Sequence, residues 1–215
     1  MPILTPSPTP ASVAWLDWAE RLSIRLKACP TILIADELRE CAIRFYRDTR
    51  TWRSTGVALA TTVAATADYT VTVPTNAALA GLPAVWLDGV EISESTPGEE
   101  ADYEPDETGT PELVGITGAA TIHLTPTPGS AGAALTATVA YCPSDDSTGI
   151  LQSLYFNHRD TIEAMTLASI MTQPEKPWTN FSLASLHASD ARRGALYDST
   201  MAGPLRRSPL SVKPW

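Results

Sequence analysis

Between Ser54 and His158 the chain has no lysine or arginine. That stretch holds thirteen acids and a net charge of -13, while the two flanks carry all fifteen basic residues against eleven acids, a net of +4. The overall charge of -9 therefore hides a split, which predicts an acidic insert between basic flanks and weighs against nucleic-acid binding as the main function. No run of eighteen apolar residues occurs, so no membrane span is expected, and Met1 to Pro10 shows neither a basic start nor a long apolar stretch that would fit a signal peptide. Cysteine is scarce. Cys29, Cys41 and Cys142 are odd in number and form no CxxC pair, which predicts reduced, buried, small apolar side chains rather than disulfide or zinc chemistry. At 215 residues the chain is long enough to bury a core without such staples.

Catalytic patterns are missing too. There is no GxGxxG, Walker loop, HExxH or GxSxG, and the three histidines, His123, His158 and His187, fall on three separate elements. His158 and Asp160, two apart on a helix, point away from one another. The acid-rich segment lacks the DxDxDG spacing of a calcium loop. We expect no enzyme activity, no metal and no cofactor.

What is present is periodicity. From about Ser12 to Lys27, Trp15, Trp18, Leu22 and Leu26 form one helical stripe, with the two tryptophans assigned to the core. Cys29-Pro30 interrupts the pattern, and a second helix is predicted from Thr31 to Thr49, with Ile34, Leu38, Cys41, Ala42 and Phe45 inward and Asp36, Glu40, Arg44 and Arg47 outward and able to pair. From Trp52 the period changes to two. Tyr69, Val71 and Val73 predict a half-buried strand, and Asp88-Gly89 between alternating residues from Val85 to Ile92 predicts a tight hairpin. Strands at Thr121 to Leu124 and Leu135 to Tyr141 are separated by Pro126, Pro128, Gly129 and Gly132, which suit a hairpin loop. Ser93 to Thr110, with Tyr103 as its one large anchor, reads as an exposed loop.

The helical period returns near Gly149. Leu151, Tyr155, His158, Ile162 and Met165 predict a third helix ending before Pro174. Thr179 or Asn180 caps a fourth, along which Phe181, Ala184, Ala188, Ala191 and Ala195 form a smooth stripe that admits close approach of another helix. Residues 203–215, with two arginines, three prolines and a terminal tryptophan, read as an extended tail. The fold expectation is α+β: a four-helix bundle from both chain ends (12–53 and 147–202), an inserted antiparallel β-sandwich or barrel (54–146), an extended start (1–11) and a C-terminal arm (203–215).

Two patches carry a resemblance. The run from Cys29-Pro30 through Ala35-Asp36-Glu37-Leu38-Arg39-Glu40-Cys41-Ala42-Ile43-Arg44-Phe45-Tyr46-Arg47-Asp48-Thr49-Arg50-Thr51-Trp52-Arg53 resembles the opening of bacteriophage head-to-tail connector adaptors of the tail-tubular-protein-A-like group. Leu154-Tyr155, His158 to Ala164, Pro174-Glu175-Lys176-Pro177-Trp178-Thr179-Asn180 and Leu183-Ala184 are similar to that family's carboxyl half. The family's small residue, often Gly, is replaced here by Met165-Thr166. The motif positions on this chain are Leu38, Ala42, Phe45, Trp52, Tyr155, His158, Pro177 and Trp178. The resemblance implies a virion protein at the head–tail junction, made in the host cytoplasm. It also implies a homo-oligomeric ring of about twelve copies beneath the portal protein, joined to a tail or neck protein below and passing double-stranded DNA without specificity. By the same resemblance the carboxyl arm reaches into the portal, with Leu205, Leu210 and Trp215 as apolar anchors and Arg206, Arg207 and Lys213 as polar ones. The alternative reading is a secreted or surface β-module that binds carbohydrate or calcium through Trp86 and the acidic loop. A carboxylate-pair hydrolase is a third, weakened because most of the acids lie in a loop without apolar surroundings.

Overall fold

The computed structural model describes residues 11–95 and 107–201, leaving the expected N-terminal extension, most of the acidic loop with Tyr103, and the C-terminal arm outside the described residues. Two compact units are distinguished. One takes Met1–Ala42 and Asp145–Gly194, the other Ile43–Ser144 and Ala195–Trp215.

In the first unit, the expected helix from Ser12 is shorter at both ends. Strand β1 (Ser12–Ala14) precedes helix α1 (Trp15–Ser23), and β1 pairs antiparallel with β11 (Gly149–Leu151), so backbone partners 139 residues away in the Ser12↔Leu151 case compete successfully with the helix. After Ser23 the chain tightens, with Arg25 N–H donating to the Leu22 carbonyl at 2.9 Å, and Ala28 takes a left-handed φ of 65° that ends the helical path. Helix α2 (Thr31–Thr49) has the expected bounds, and its stripe Ile34, Leu38, Cys41, Ala42 and Phe45 is buried. On its outer face, among the described residues, the ion pair is Arg39 to Asp36 at 3.5 Å, and Glu40, Arg44 and Arg47 form none with one another.

Helix α3 (Gln152–Met171) starts later than expected because Gly149 to Leu151 is used as strand, which removes Leu151 from the helical stripe. Its buried face is Tyr155, Ile162, Thr166 and Ile170, with Ala164, Leu167 and Met171 beside it, while His158 and Met165 are half-buried. Thr166 is accommodated because its hydroxyl donates to the Ile162 carbonyl at 2.9 Å. Helix α4 (Phe181–Met201) is capped by Asn180, whose Oδ1 accepts the Leu183 N–H at 3.0 Å. Thr179 instead stabilises the preceding turn, its hydroxyl accepting the Lys176 N–H at 3.0 Å. Ala184 and Ala191 are buried as expected. Phe181 is 62% exposed, and His187 takes its place on the inward face. Close approach does occur: a Cβ on Gly194 would collide with the side chain of Thr161 in α3.

The second unit contains strands β2 (Arg53–Thr61), β3 (Asp68–Thr70), β4 (Ala77–Leu87), β5 (Val90–Glu94), β6 (Thr108–Gly109), β7 (Leu113–Gly118), β8 (Thr121–Thr125), β9 (Thr127–Pro128) and β10 (Ala134–Pro143). Seven form one curled sheet in the order β2-β10-β4-β5-β7-β8-β3, and β6 pairs with β9 alone. The curl is pinned by Tyr69, whose hydroxyl accepts the Val63 N–H at 3.0 Å and donates to the Thr66 carbonyl at 2.8 Å. The Asp88-Gly89 hairpin is as expected, with φ of 48° and 81° and the register Leu87↔Val90, Trp86↔Glu91 and Val85↔Ile92.

Three expectations are corrected. The sheet is mixed, not antiparallel, because β5 and β7 run parallel, as do β6 and β9. The strands at Thr121–Thr125 and Ala134–Pro143 are not hairpin partners, since β8 lies between β7 and β3 while β10 lies between β2 and β4. Ser93 and Glu94 belong to β5 and Thr108–Gly109 to β6, so the expected loop is shorter. The core combines Val71, Leu82, Val85, Val114, Ile122, Leu124, Leu135, Ala137 and Val139, all at most 2% exposed.

Candidate interaction surfaces

The helical unit is joined by aromatic side chains whose polar tips find distant partners. Trp15 and Trp18 stack at 5.9 Å with planes 16° apart, and Tyr155 meets Trp18 edge-on at 4.8 Å. The Trp15 indole N–H donates to the Ser147 carbonyl at 2.9 Å, and that of Trp18 to Glu163 Oε1 at 2.9 Å. Arg21 donates to the Tyr155 hydroxyl at 2.9 Å, and Arg159 lies 6.0 Å from the same ring's centroid. Hydrogen bonding to Tyr155, then to Asp160, raises the Arg159 pKa further above its usual value. Two guanidinium groups therefore bracket one buried tyrosine. Asp160 pairs with Arg159 at 3.1 Å.

His187 is buried, and its pKa is lowered by desolvation first and by the charge of Arg25 second, with Asp190 acting in the opposite direction. Burial raises the Cys29 thiol pKa, and all three cysteines are buried and outside any disulfide, as expected.

In the second unit, the end of α2 meets the sheet through Trp52, which packs 6.0 Å from Tyr46 and 5.7 Å from Tyr141 while its carbonyl accepts the Tyr141 N–H at 2.8 Å. Burial, aided by the negative charge of Asp198, pushes the Tyr46 hydroxyl pKa far above its usual range. Beside this cluster lies a polar joint that the sequence reading missed. Arg50 donates to Glu94 Oε2 at 2.8 Å, and Glu94 Oε1 accepts the Leu82 N–H at 2.9 Å, so the carboxylate replaces a strand partner next to Pro83. A Cβ on Gly81 would stand 2.7 Å from Arg50 Cζ. The available signal was a lone glycine inside a strand-like run, which marks close approach. Across β3 and β8, His123 Nδ1 and Asp68 Oδ1 are 2.8 Å apart on an exposed face, in keeping with the polar position expected for His123.

The motif residues separate into two kinds. Leu38, Ala42, Phe45 and Tyr155 are buried, and Trp52 is half-buried against the sheet. His158 is half-buried and Pro177 exposed, while the Trp178 indole N–H donates to Gln173 Oε1 at 3.3 Å. These eight are thus mostly packing residues, spread over both units. Leu205, Arg206, Arg207, Leu210, Lys213 and Trp215 lie outside the described residues. Among the described residues no group of three or more His, Cys, Asp or Glu side chains is placed to hold a metal, and no helix is long and apolar enough to cross a membrane.

Large apolar side chains are exposed on the helices and in the turn after α1. Leu16, Ile24, Ile32, Phe156 and Leu186 in the first unit are 51 to 78% exposed. No curated protein matches the chain. The family model described as SU10 adaptor protein matches residues 11–208, which takes in both units and the polar and aromatic joints described above. The chain belongs to the SU10 adaptor protein family, and so is a structural phage adaptor of the head–tail junction that works through contacts with other head and tail proteins.

Proposed function

We propose that copies of this chain assemble into a ring beneath the portal protein, join the capsid to the tail or neck protein below, and line part of the DNA channel. The observation that carries this reading is the family match across both units, from Ala11 to Ser208. Supporting it, the helical unit is held by side chains far apart in sequence, which lets both chain ends build one rigid face, and exposed Leu16, Ile24, Ile32 and Phe156 offer apolar area for partners. In this reading residues 12–53 and 147–202 form a four-helix bundle domain, and 54–146 an acidic β domain. The role is architectural rather than catalytic.

The carboxyl segment from residue 203 serves as the portal-docking arm, anchored by Leu205, Leu210 and Trp215 with Arg206, Arg207 and Lys213 beside them. Arginine and tryptophan are favoured at binding hot spots, and a segment without periodicity gains order when it adds contacts to a partner. A surface of net negative charge repels phosphate, so the insert keeps a passing duplex mobile if it faces the channel.

Purified protein added to DNA-filled, tailless heads tests the arm. Full-length chain should bind the heads and allow tails to join. Deletion of Pro204 to Trp215 should leave circular dichroism and melting temperature unchanged but abolish binding, and Trp215→Ala should weaken binding by about 1–3 kcal/mol. Equal binding by the truncated chain would move the portal contact to the helices.

A further inference from the structure

The corner between α1 and α2 sets a bare apolar side chain among cations. Ile24, just past α1, is 78% exposed, and its backbone stays helical at φ −59° and ψ −35°. Because the Leu26 N–H still reaches the Leu22 carbonyl at 3.3 Å, Arg21, Ile24 and Arg25 stand at i, i+3 and i+4 and share one face. Lys27 follows two residues on. All three cations are exposed, and the chain has no acid from Arg21 to Ala35. None of the three makes an ion pair among the described residues.

The corner is held from beneath. Leu22 and Leu26 are buried, the Cys29 N–H donates to the Leu26 carbonyl at 3.0 Å, and Arg21 donates to the Tyr155 hydroxyl at 2.9 Å. That bond uses one of the five N–H donors of Arg21 and leaves the others for a partner. Cations at the end of a helix suit its dipole, but they do nothing to cover Ile24.

The complementary chemistry is in the insert of the same chain. Residues 96–106 carry Glu99, Glu100, Asp102, Glu104 and Asp106 around Tyr103, with no base among them. Since no lysine or arginine occurs between Ser54 and His158, cations for these acids come from the flanks or from another chain. Both ends of the segment are anchored: the Ser95 N–H donates to the Val114 carbonyl at 2.8 Å, and the Glu107 carbonyl accepts the Thr127 N–H at 3.0 Å. Tyr103 is four residues from Glu107, enough chain to span up to about 14 Å from that anchor.

We infer that the α1–α2 corner of one copy binds the acidic segment of a second copy, Tyr103 covering Ile24 while the neighbouring carboxylates pair with Arg21, Arg25 and Lys27. Apolar contact supplies the driving force and the charges fix orientation. DNA would satisfy the cations alone and leave Ile24 in water. Because corner and segment are different surfaces of one chain, the contact is heterologous, each copy giving one and receiving the other, and it propagates until the rotation closes. The inference rests on the ring reading above and specifies which surfaces of the copies meet.

The test uses phage particles carrying the full-length Ile24→Cys/Tyr103→Cys chain. Cys29, Cys41 and Cys142 are buried, so mild oxidation couples the introduced thiols. The expected result is a ladder of linked chains on a non-reducing gel, absent from each single variant. Particles that hold several copies by mass but give no ladder, or only a link within one chain, would overturn the contact while leaving the ring intact. Particles holding one copy would overturn both. As a second arm, Arg25→Glu/Lys27→Glu should lower the number of particles carrying this chain at least tenfold, and adding Glu99→Lys/Glu100→Lys should restore it. No restoration, or normal assembly with leakage of DNA from the particles, would overturn the pairing, the second by assigning the corner to phosphate.

Discussion

The two units achieve cohesion differently. In the helical unit, the polar tips of aromatic side chains reach partners 132 to 145 residues away, as in Trp15 with Ser147, Trp18 with Glu163 and Arg21 with Tyr155. In the other unit the core cluster is drawn from one continuous stretch between Leu59 and Tyr141, and backbone ladders carry most of the order. The first unit therefore depends on a few specific side-chain joints. The second depends on register. The difference suits an adaptor, because a helical face assembled from distant segments holds a precise shape, while a contiguous insert varies in length and charge at little cost to its neighbours.

The largest expected effect is on the helical stripe. Leu38→Asp or Phe45→Asp puts an unpaired carboxylate among fully buried groups, and should cost more than about 4 kcal/mol and abolish soluble expression. Glu40→Ala, on the exposed face, should change stability by less than about 0.5 kcal/mol in urea unfolding. Equal tolerance at all three positions would contradict the assignment of faces.

Two glycine substitutions sharpen the comparison next. Gly194→Val drives a side chain into Thr161, and Gly81→Val displaces the Arg50 guanidinium from its strand. Each should cost about 1–3 kcal/mol by thermal melting. The effect of Gly81→Val should be largely absent in an Arg50→Ala background, because the obstructed group is then gone, whereas no such shortening relieves Gly194→Val while Thr161 remains. Trp18→Phe ranks third. It keeps most of the buried ring but leaves Glu163 without the indole donor, an expected loss of about 1 kcal/mol in denaturant unfolding.

The smallest effect is pH dependence at His187. Its folded pKa is lowered, chiefly by burial, so the unfolded chain takes up the proton first. Stability from this group is complete above the unfolded value of about 6.5 and is lost as pH falls from there through the folded value. Melting temperatures measured between pH 7.5 and 5 should fall less steeply for His187→Gln than for the native chain. Parallel curves would show that His187 contributes nothing to the slope.

How much of this was legible in sequence follows the same divide. Helix α2 is bounded by Pro30 and has a stripe of five buried positions, all local information, and its limits are those the periodicity predicts. The Asp88-Gly89 hairpin is likewise local. By contrast β1 and β11 are three residues each and have no period of their own; only their pairing makes them strands. Strand order failed for a related reason. The loop between β8 and β10 has hairpin composition, yet each strand finds better partners elsewhere in a seven-stranded sheet, and nothing within the loop encodes that. Spacing alone puts Phe181 inward, although His187, polar but desolvated, occupies the inward face. The motif residues that carried the family resemblance are the packing residues, which explains why they indicate a fold and an assembly role while specifying no partner contact.

A cryo-EM reconstruction of the head–tail junction in phage particles that carry this chain tests the central claim most directly. The account predicts multiple copies arranged around the channel axis next to the portal, each with its carboxyl segment in portal density. A junction in which this chain is absent from the axis, or present as a single peripheral copy, would contradict it.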